Sequence, residues 1–324
     1  MKLPLGSMRI LFTFFISIYC FSSSPWGFFA HKEINYHACF TIPSEMFGFY
    51  KANVDVIREL AVRPDQRRYV MDEESPRHYI DIDFYESKIP IDTLPFYWDS
   101  AKVLYGEKTL IDHGIVPWHI LKVKYWLTQA MKDHDYSQIL KLSADLGHYI
   151  ADAHVPLHST KNYNGQLTNQ HGIHGLWESR LPEVFLSDYD FFIGNAQYMH
   201  KPLLSIWKAV EESFSAHDTV LNLERELTSK MQHIKYSFEQ RGATTIKVYS
   251  REFSKSYHFL LNNMVERRMK KAIYMIGCFW YTAWVDAGQP HLPNKLILNF
   301  EDKTSNDSIF QKHYHKIKGR IGLH

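Results

Sequence analysis

The stretch His148-Tyr149-Ile150-Ala151-Asp152-Ala153-His154-Val155-Pro156-Leu157-His158 constrains this chain more than any other. Preceded by Leu140, Leu142, Ala144 and Leu146, it reads as the buried end of a helix that carries polar groups inward. His148 and Asp152 stand four apart, so one helical face offers an imidazole and a carboxylate to the same point. Pro156 stops the helix, and His158 follows within reach of the same region. Farther along, His174 and Glu178 repeat the four-residue spacing in His174-Gly175-Leu176-Trp177-Glu178. Two helical turns that each offer a His and an acid, with a further His between them, predict a metal site holding more than one ion. The competing account is a row of surface histidines on solvated helices. The apolar sequence around the cluster argues against it, because buried polar groups need partners.

The rest of the chain supports a helical, globular body. It has 324 residues, 45% hydrophobic and 22% charged, which is ample for a sizeable core. The formal charge of +2 does not by itself declare a polyanion-binding protein. At the N-terminus, Lys2 and Arg9 precede the apolar run from Ile10 to Tyr19, which is short for a transmembrane helix. With Ser22-Ser23-Ser24 behind it, this reads as an export signal over residues 1–25, so that the protein is expected to be periplasmic or secreted. Cys39 and Cys278 could pair in an oxidising compartment or be two core thiols, and neither belongs to a zinc-type Cys pair.

Taken in order, a helix is expected from Pro43-Ser44-Glu45 through about Leu60, broken by the segment Arg63 to Arg68. The alternation around Pro76 to Asp83 permits a short strand. Helices follow over about Pro95–Tyr105, Pro117–Lys132, Tyr136–Ala153, His174–Phe185, Pro202–Ser213, Thr219–Lys230 and Lys255–Asp286. The segment 291–324 is a polar tail. The expectation is an all-α protein with a single compact multi-helix domain over residues 26–290.

The candidate ligands are His, Asp and Glu without Cys, which favours a hydrolytic metal centre over a structural one. Clustered divalent ions suit phosphoester hydrolysis: they activate water and neutralise charge on phosphorus and the leaving oxygen. A carboxylate such as Asp152 is suited to bridge two of them.

These ordered motifs, from Trp26 to Glu178, resemble the superfamily of S1/P1 nucleases and zinc-dependent phospholipases C, all-helical enzymes with three zinc ions. The resemblance implies that one zinc takes Asp65, His78, His148 and Asp152. A second takes His31, Asp152 and the amino group and carbonyl of an N-terminal Trp26; the third takes His158, His174 and Glu178. It further implies a zinc-bound hydroxide as nucleophile, with Asp65 as the acid that orients it. Two departures matter. Pro25 is an awkward residue before a signal cleavage site, and the last motif ends in Glu178, as in the phospholipases, where nucleases usually have Asp. Two features favour the nuclease branch. Arg68, three after Asp65, matches a phosphate-contacting Arg. His78-Tyr79-Ile80-Asp81 resembles a motif whose aromatic stacks on a base while its acid bonds the base edge. The expected substrate is single-stranded nucleic acid or a 3′-nucleotide, with phospholipid as the alternative and a non-catalytic metal-binding protein as the reading from another class. No stable protein partner is inferred. Outside the ligand set, His154 is expected to face away from the His148/Asp152 side and His171 is a candidate to join it. His37, His113 and His119 are taken as structural.

Overall fold

A computed structural model describes residues 27–242 and 244–294. Within these the chain is mostly helical. In order it forms α1 (Phe28–Ala38), α2 (Ser44–Ala52), α3 (Val54–Leu60), α4 (Arg63–Arg67), α5 (Ile82–Tyr85), α6 (Trp98–Tyr105), α7 (Glu107–Asp112), α8 (Val116–Lys132) and α9 (Tyr136–Ala153). There follow α10 (Ile173–Gly175), α11 (Leu181–Phe185), α12 (Pro202–Met231), the strands β1 (Tyr236–Arg241) and β2 (Thr244–Tyr249), α13 (Arg251–Leu260) and α14 (Met264–Asp286). The expected export signal, Trp26 and nearly all of the polar tail lie outside the described residues. No described helix is long and apolar enough to cross a membrane.

Helix α9 is central because it is buried almost all round, which leaves no face for solvent. The Asp135 side chain accepts from Gln138 N at 3.1 Å and caps its start. Pro156 prevents its continuation, and buried Arg268 of α14 donates to the carbonyl of His154 at its C-terminal end, where a cation is favoured. Helices α1, α3, α8, α12 and α14 pack around α9. On the α14 side, Trp280 Nε1 donates to Ser143 O at 3.0 Å, and its ring stacks on Tyr50 at a 5.0 Å centroid distance. Side chains such as Phe49, Ile57 and Phe279 are fully buried, each worth about 1.5–3 kcal/mol relative to exposure.

Two glycines set the close approaches that build the site. Gly147 on α9 faces Asn35 on α1, and a Cβ there would collide with the Asn35 amide. The small residue lets α1 cross close enough to stack the rings of His31 and His148, 3.9 Å between centroids. Gly114 has φ 89°, and a Cβ there would strike the carbonyl of Tyr79. Around it, Ile115 N donates to Pro76 O, Val116 N to Tyr79 O and Asp81 N to His113 O, which pins the irregular segment 76–82.

Several expected boundaries are corrected. The helix from Ser44 divides at Asn53 into α2 and α3, and the expected break over Arg63–Arg68 instead folds as α4. The possible strand near Pro76–Asp83 does not form: the segment is a 3₁₀ turn over Asp72–Arg77 followed by α5. The two helices expected between Pro202 and Lys230 are one, while the last splits at Asn262 and Asn263, both at positive φ. The antiparallel hairpin of β1 and β2 was not expected. Cys39 and Cys278 are both free and buried, so the core-thiol alternative holds.

Candidate metal centre

Eight side chains meet where α1, α4, α9 and the segments 76–82 and 156–178 converge. They are His31, Asp65, His78, His148, Asp152, His158, His174 and Glu178, and they form four overlapping groups of donor atoms able to hold metal ions. Trp26 falls outside the described residues; every other expected ligand is brought into this cluster.

Asp152 is the hub. Its Oδ2 lies 2.9 Å from His78 Nδ1 and 3.3 Å from His148 Nε2, and those two nitrogens are 3.0 Å apart. Asp65 Oδ1 faces the same pair at 3.8 and 3.9 Å. The other oxygen, Oδ1, lies 3.4 Å from His31 Nε2 and 3.5 Å from His158 Nδ1. Farther out, His158 Nε2 is 3.0 Å from His174 Nε2 and 3.6 Å from Glu178 Oε2, and His174 Nε2 is 2.5 Å from that oxygen. Ligands about 2.0–2.1 Å from a tetrahedral zinc stand about 3.3 Å from one another. Most of the distances between Asp65, His78, His148 and Asp152 lie around that value, so these nitrogen and oxygen donors fit such an ion.

Groups behind the ligands fix which nitrogen points inward. His148 Nδ1 donates to Ala61 O at 2.8 Å, and His158 Nδ1 to His78 O at 2.7 Å, which leaves each Nε2 lone pair facing the cluster. His78 is turned the other way, with Nδ1 inward and Nε2 buried without a hydrogen bond, 3.7 Å from Glu74 Oε1.

The electrostatics call for positive charge at the centre. Burial would raise the Asp152 carboxyl, but His148 and His158 hold it well below the ordinary carboxylate range. Glu178 is lowered in the same way, burial being outweighed by His174 and His158. Burial pulls His158 down, yet Asp152 and Glu178 raise it to about 9. His31 rises for the same reason, whereas burial and the neighbouring His31 lower His148. The raised imidazoles and lowered acids favour each other's charged forms, and a bound cation would displace the imidazole protons.

The cluster opens toward Asp65 and His174. Arg68 stands on that side, 43% exposed, with Nη1 3.3 Å from Asp65 Oδ1. Tyr79 is half-buried and lies within electrostatic reach of Asp81, Arg68 and Tyr163. Asp81 Oδ2 is 3.3 Å from His113 Nδ1, and burial, reinforced by Asp83, pushes its carboxyl up despite that contact. His113, expected to be structural, also stacks on exposed Phe84 at 3.6 Å between centroids. Tyr163, half exposed, stands edge-on to His174.

His154 is buried, donates through Nδ1 to Ile150 O and joins none of the ligand groups; it lines an apolar crevice with Trp177 and Met269. His171 is exposed and likewise stays out of the cluster. Sequence reasoning missed Glu74, which is fully buried and accepts from Arg67, Arg77 and Tyr149 directly behind His78. A signal existed: Asp145 and Tyr149 precede His148 and Asp152 by three residues each and share their four-residue spacing. They form the next stripe of α9, and both contact Arg67. Compared with protein-family models and with curated proteins, the chain matches none.

Proposed function

We propose that this protein is an exported, trinuclear zinc phosphodiesterase of the S1/P1 nuclease type, acting on single-stranded nucleic acid or 3′-nucleotides. The observation that carries the proposal is Asp152, whose two oxygens face different ligand groups inside one cysteine-free cluster that is open on one side. Asp65, His78, His148 and Asp152 would hold one ion, His31 and Asp152 take part in a second, and His158, His174 and Glu178 would hold the third. Zinc bound there supplies Lewis-acid polarisation of phosphate oxygens and activation of water.

The chain's own groups do the rest. Asp65, at the open edge, accepts a hydrogen bond from the attacking water and orients it. Arg68 beside it donates to a non-bridging phosphate oxygen and holds the phosphorus in line for attack. Tyr79 offers a ring face to a base, and Asp81, steadied by His113, bonds the base edge. Stacking of this kind selects unpaired bases, whose faces are free.

A phospholipase C reading has its own support. Tyr69 and Val70 directly follow Arg68 and are 72% and 79% exposed, an apolar tip suited to a lipid surface. Assays of the purified protein on denatured DNA, 3′-nucleotides and phosphatidylcholine, each with and without chelator, separate the readings. Chelator-sensitive cleavage of denatured DNA is expected. Cleavage of lipid alone would replace the nuclease reading with the lipase one, and no chelator-sensitive hydrolysis at all would sink both.

A further inference from the structure

Glu178 reaches two ligand groups at once. Its Oε2 belongs with His158 and His174, whereas its Oε1 lies 3.2 Å from His31 Nε2. That same nitrogen is 3.4 Å from Asp152 Oδ1, so His31, Asp152 and Glu178 close a three-donor group entirely from described residues. We infer that Glu178 is a second bridging carboxylate, and that its Oε1 completes the middle metal site without the α-amino group of residue 26. The inference rests on the proposed metal centre. It departs from the ligand set that the resemblance implies, in which Trp26 serves the middle site and Glu178 serves the outer one alone.

Three features support the bridge. Glutamate is one methylene longer than aspartate, so from its place beside His174 the Glu178 carboxylate reaches across to His31 as well. The segment Leu176–Arg180 is π-helical, a local widening that often marks functional sites, and it sets Glu178 directly against His174. Gly27 brings the backbone of α1's first turn against the carboxylate: a Cβ there would sit 3.1 Å from Oε1. The resulting middle site has three protein donors, the number that catalytic zinc sites use while keeping a position open. With Asp152 shared on one side and Glu178 on the other, two carboxylate charges would offset the mutual repulsion of the cations these groups hold. Occupancy of the middle site then depends on the outer acid, whatever residue begins the mature chain.

The test uses the full chain with residues 1–25 retained, kept soluble in detergent, so that residue 26 carries a peptide nitrogen in place of an amine. Zinc per chain is measured by plasma mass spectrometry after loading and dialysis. Three equivalents are expected; two or fewer would overturn the inference. In the same chain Glu178→Asp should lose one equivalent while circular dichroism stays parental, because a carboxylate set back by one methylene at this position does not reach His31 and His174 together. Retention of three equivalents by that variant would overturn the bridge. The unsubstituted chain decides the matter alone if the variant does not fold. Hydrolysis is scored separately: three equivalents without cleavage keep the bridge and sink the proposed function, and two equivalents with cleavage do the reverse.

Discussion

At the scale of single residues, the candidate ligands depend on groups outside the ligand set. Glu74 shows this best. Burial would raise its carboxyl, but His78, Arg67 and Arg77 hold it ionised, far below the ordinary carboxylate range. A permanent buried charge 3.7 Å from His78 Nε2 favours the proton on that nitrogen and leaves Nδ1 free to bind metal. Glu74→Gln should therefore lower zinc affinity at the proposed site of Asp65, His78, His148 and Asp152 by about 10–100-fold. It should also cost about 1–3 kcal/mol, because Arg67, which keeps Asp145, and Arg77 each lose a charged acceptor. Competition with a chromophoric chelator reads the first effect and denaturant unfolding the second; parental zinc affinity would limit Glu74 to the ionic network. His119 permits a prediction about pH. Burial, aided by Arg77, lowers it well below the ordinary imidazole range, while Tyr149 packs edge-on against its ring. The unfolded chain takes up this proton near pH 6.5 and the folded chain does not. The stability from a neutral His119 is thus complete above about pH 6.5 and is lost progressively as pH falls below it. His119→Phe should flatten the decline in Tm between about pH 6.5 and 5 relative to the parent. An unchanged slope would show that His119 is not responsible.

At the scale of elements, the site is a crossing of helices, and Gly147 is its narrowest point. An exposed helical Gly→Ala change would stabilise by up to about 1 kcal/mol. Here the added methyl meets the Asn35 amide, so overpacking reverses the sign and Gly147→Ala should destabilise by about 1–3 kcal/mol. Asn35→Ala in the same chain should recover most of the loss, and equal destabilisation of single and double variants in urea would refute the account. The same crossing shows what a sequence can display. Helix α9 was legible to its ends because its apolar residues, its start and its stop at Pro156 agree with one another. The pairs His148/Asp152 and His174/Glu178 were legible because helical periodicity turns a spacing into a shared face. Breaks at Asn53 and Asn262-Asn263 were not, since Asn only permits the turn and tertiary packing selects it. The hairpin was missed because β1 has little apolar alternation; it is held from outside by Arg180, which donates to Tyr249 O and to the Glu239 carboxylate. Glu178's second contact was hidden for a related reason: no spacing along the chain relates it to His31, and only the approach of α1 to the π-helical turn joins them.

At the scale of the whole molecule, the cluster gathers acids and imidazoles from α1, α4 and α9 and from two irregular segments, so bound ions would act as cross-links among separate parts of the fold. Metal held by this arrangement and not by the unfolded chain would add stability by mass action: about 4 kcal/mol for each site held at 1,000 times its dissociation constant. Removing such ions would withdraw that term and leave Asp152 and Glu178 dependent on imidazole protons. Residues 156–178 should loosen first, because they carry three of the eight candidate ligands, His158, His174 and Glu178; their remaining anchors, among them Gln170 on Leu221 O and Thr160 on Asp83, keep the loosening local. Helices α8 and α14 are fastened to α9 by apolar packing and by the Trp280–Ser143 bond, and should persist. Chelator is therefore expected to lower Tm by several degrees while leaving far-ultraviolet circular dichroism nearly unchanged before melting. Amide hydrogen exchange should rise in residues 156–178 but not in α8. Uniform exchange across both regions, or a Tm indifferent to chelator, would mean that the fold does not rely on metal and that the cluster's charges are balanced by protons alone.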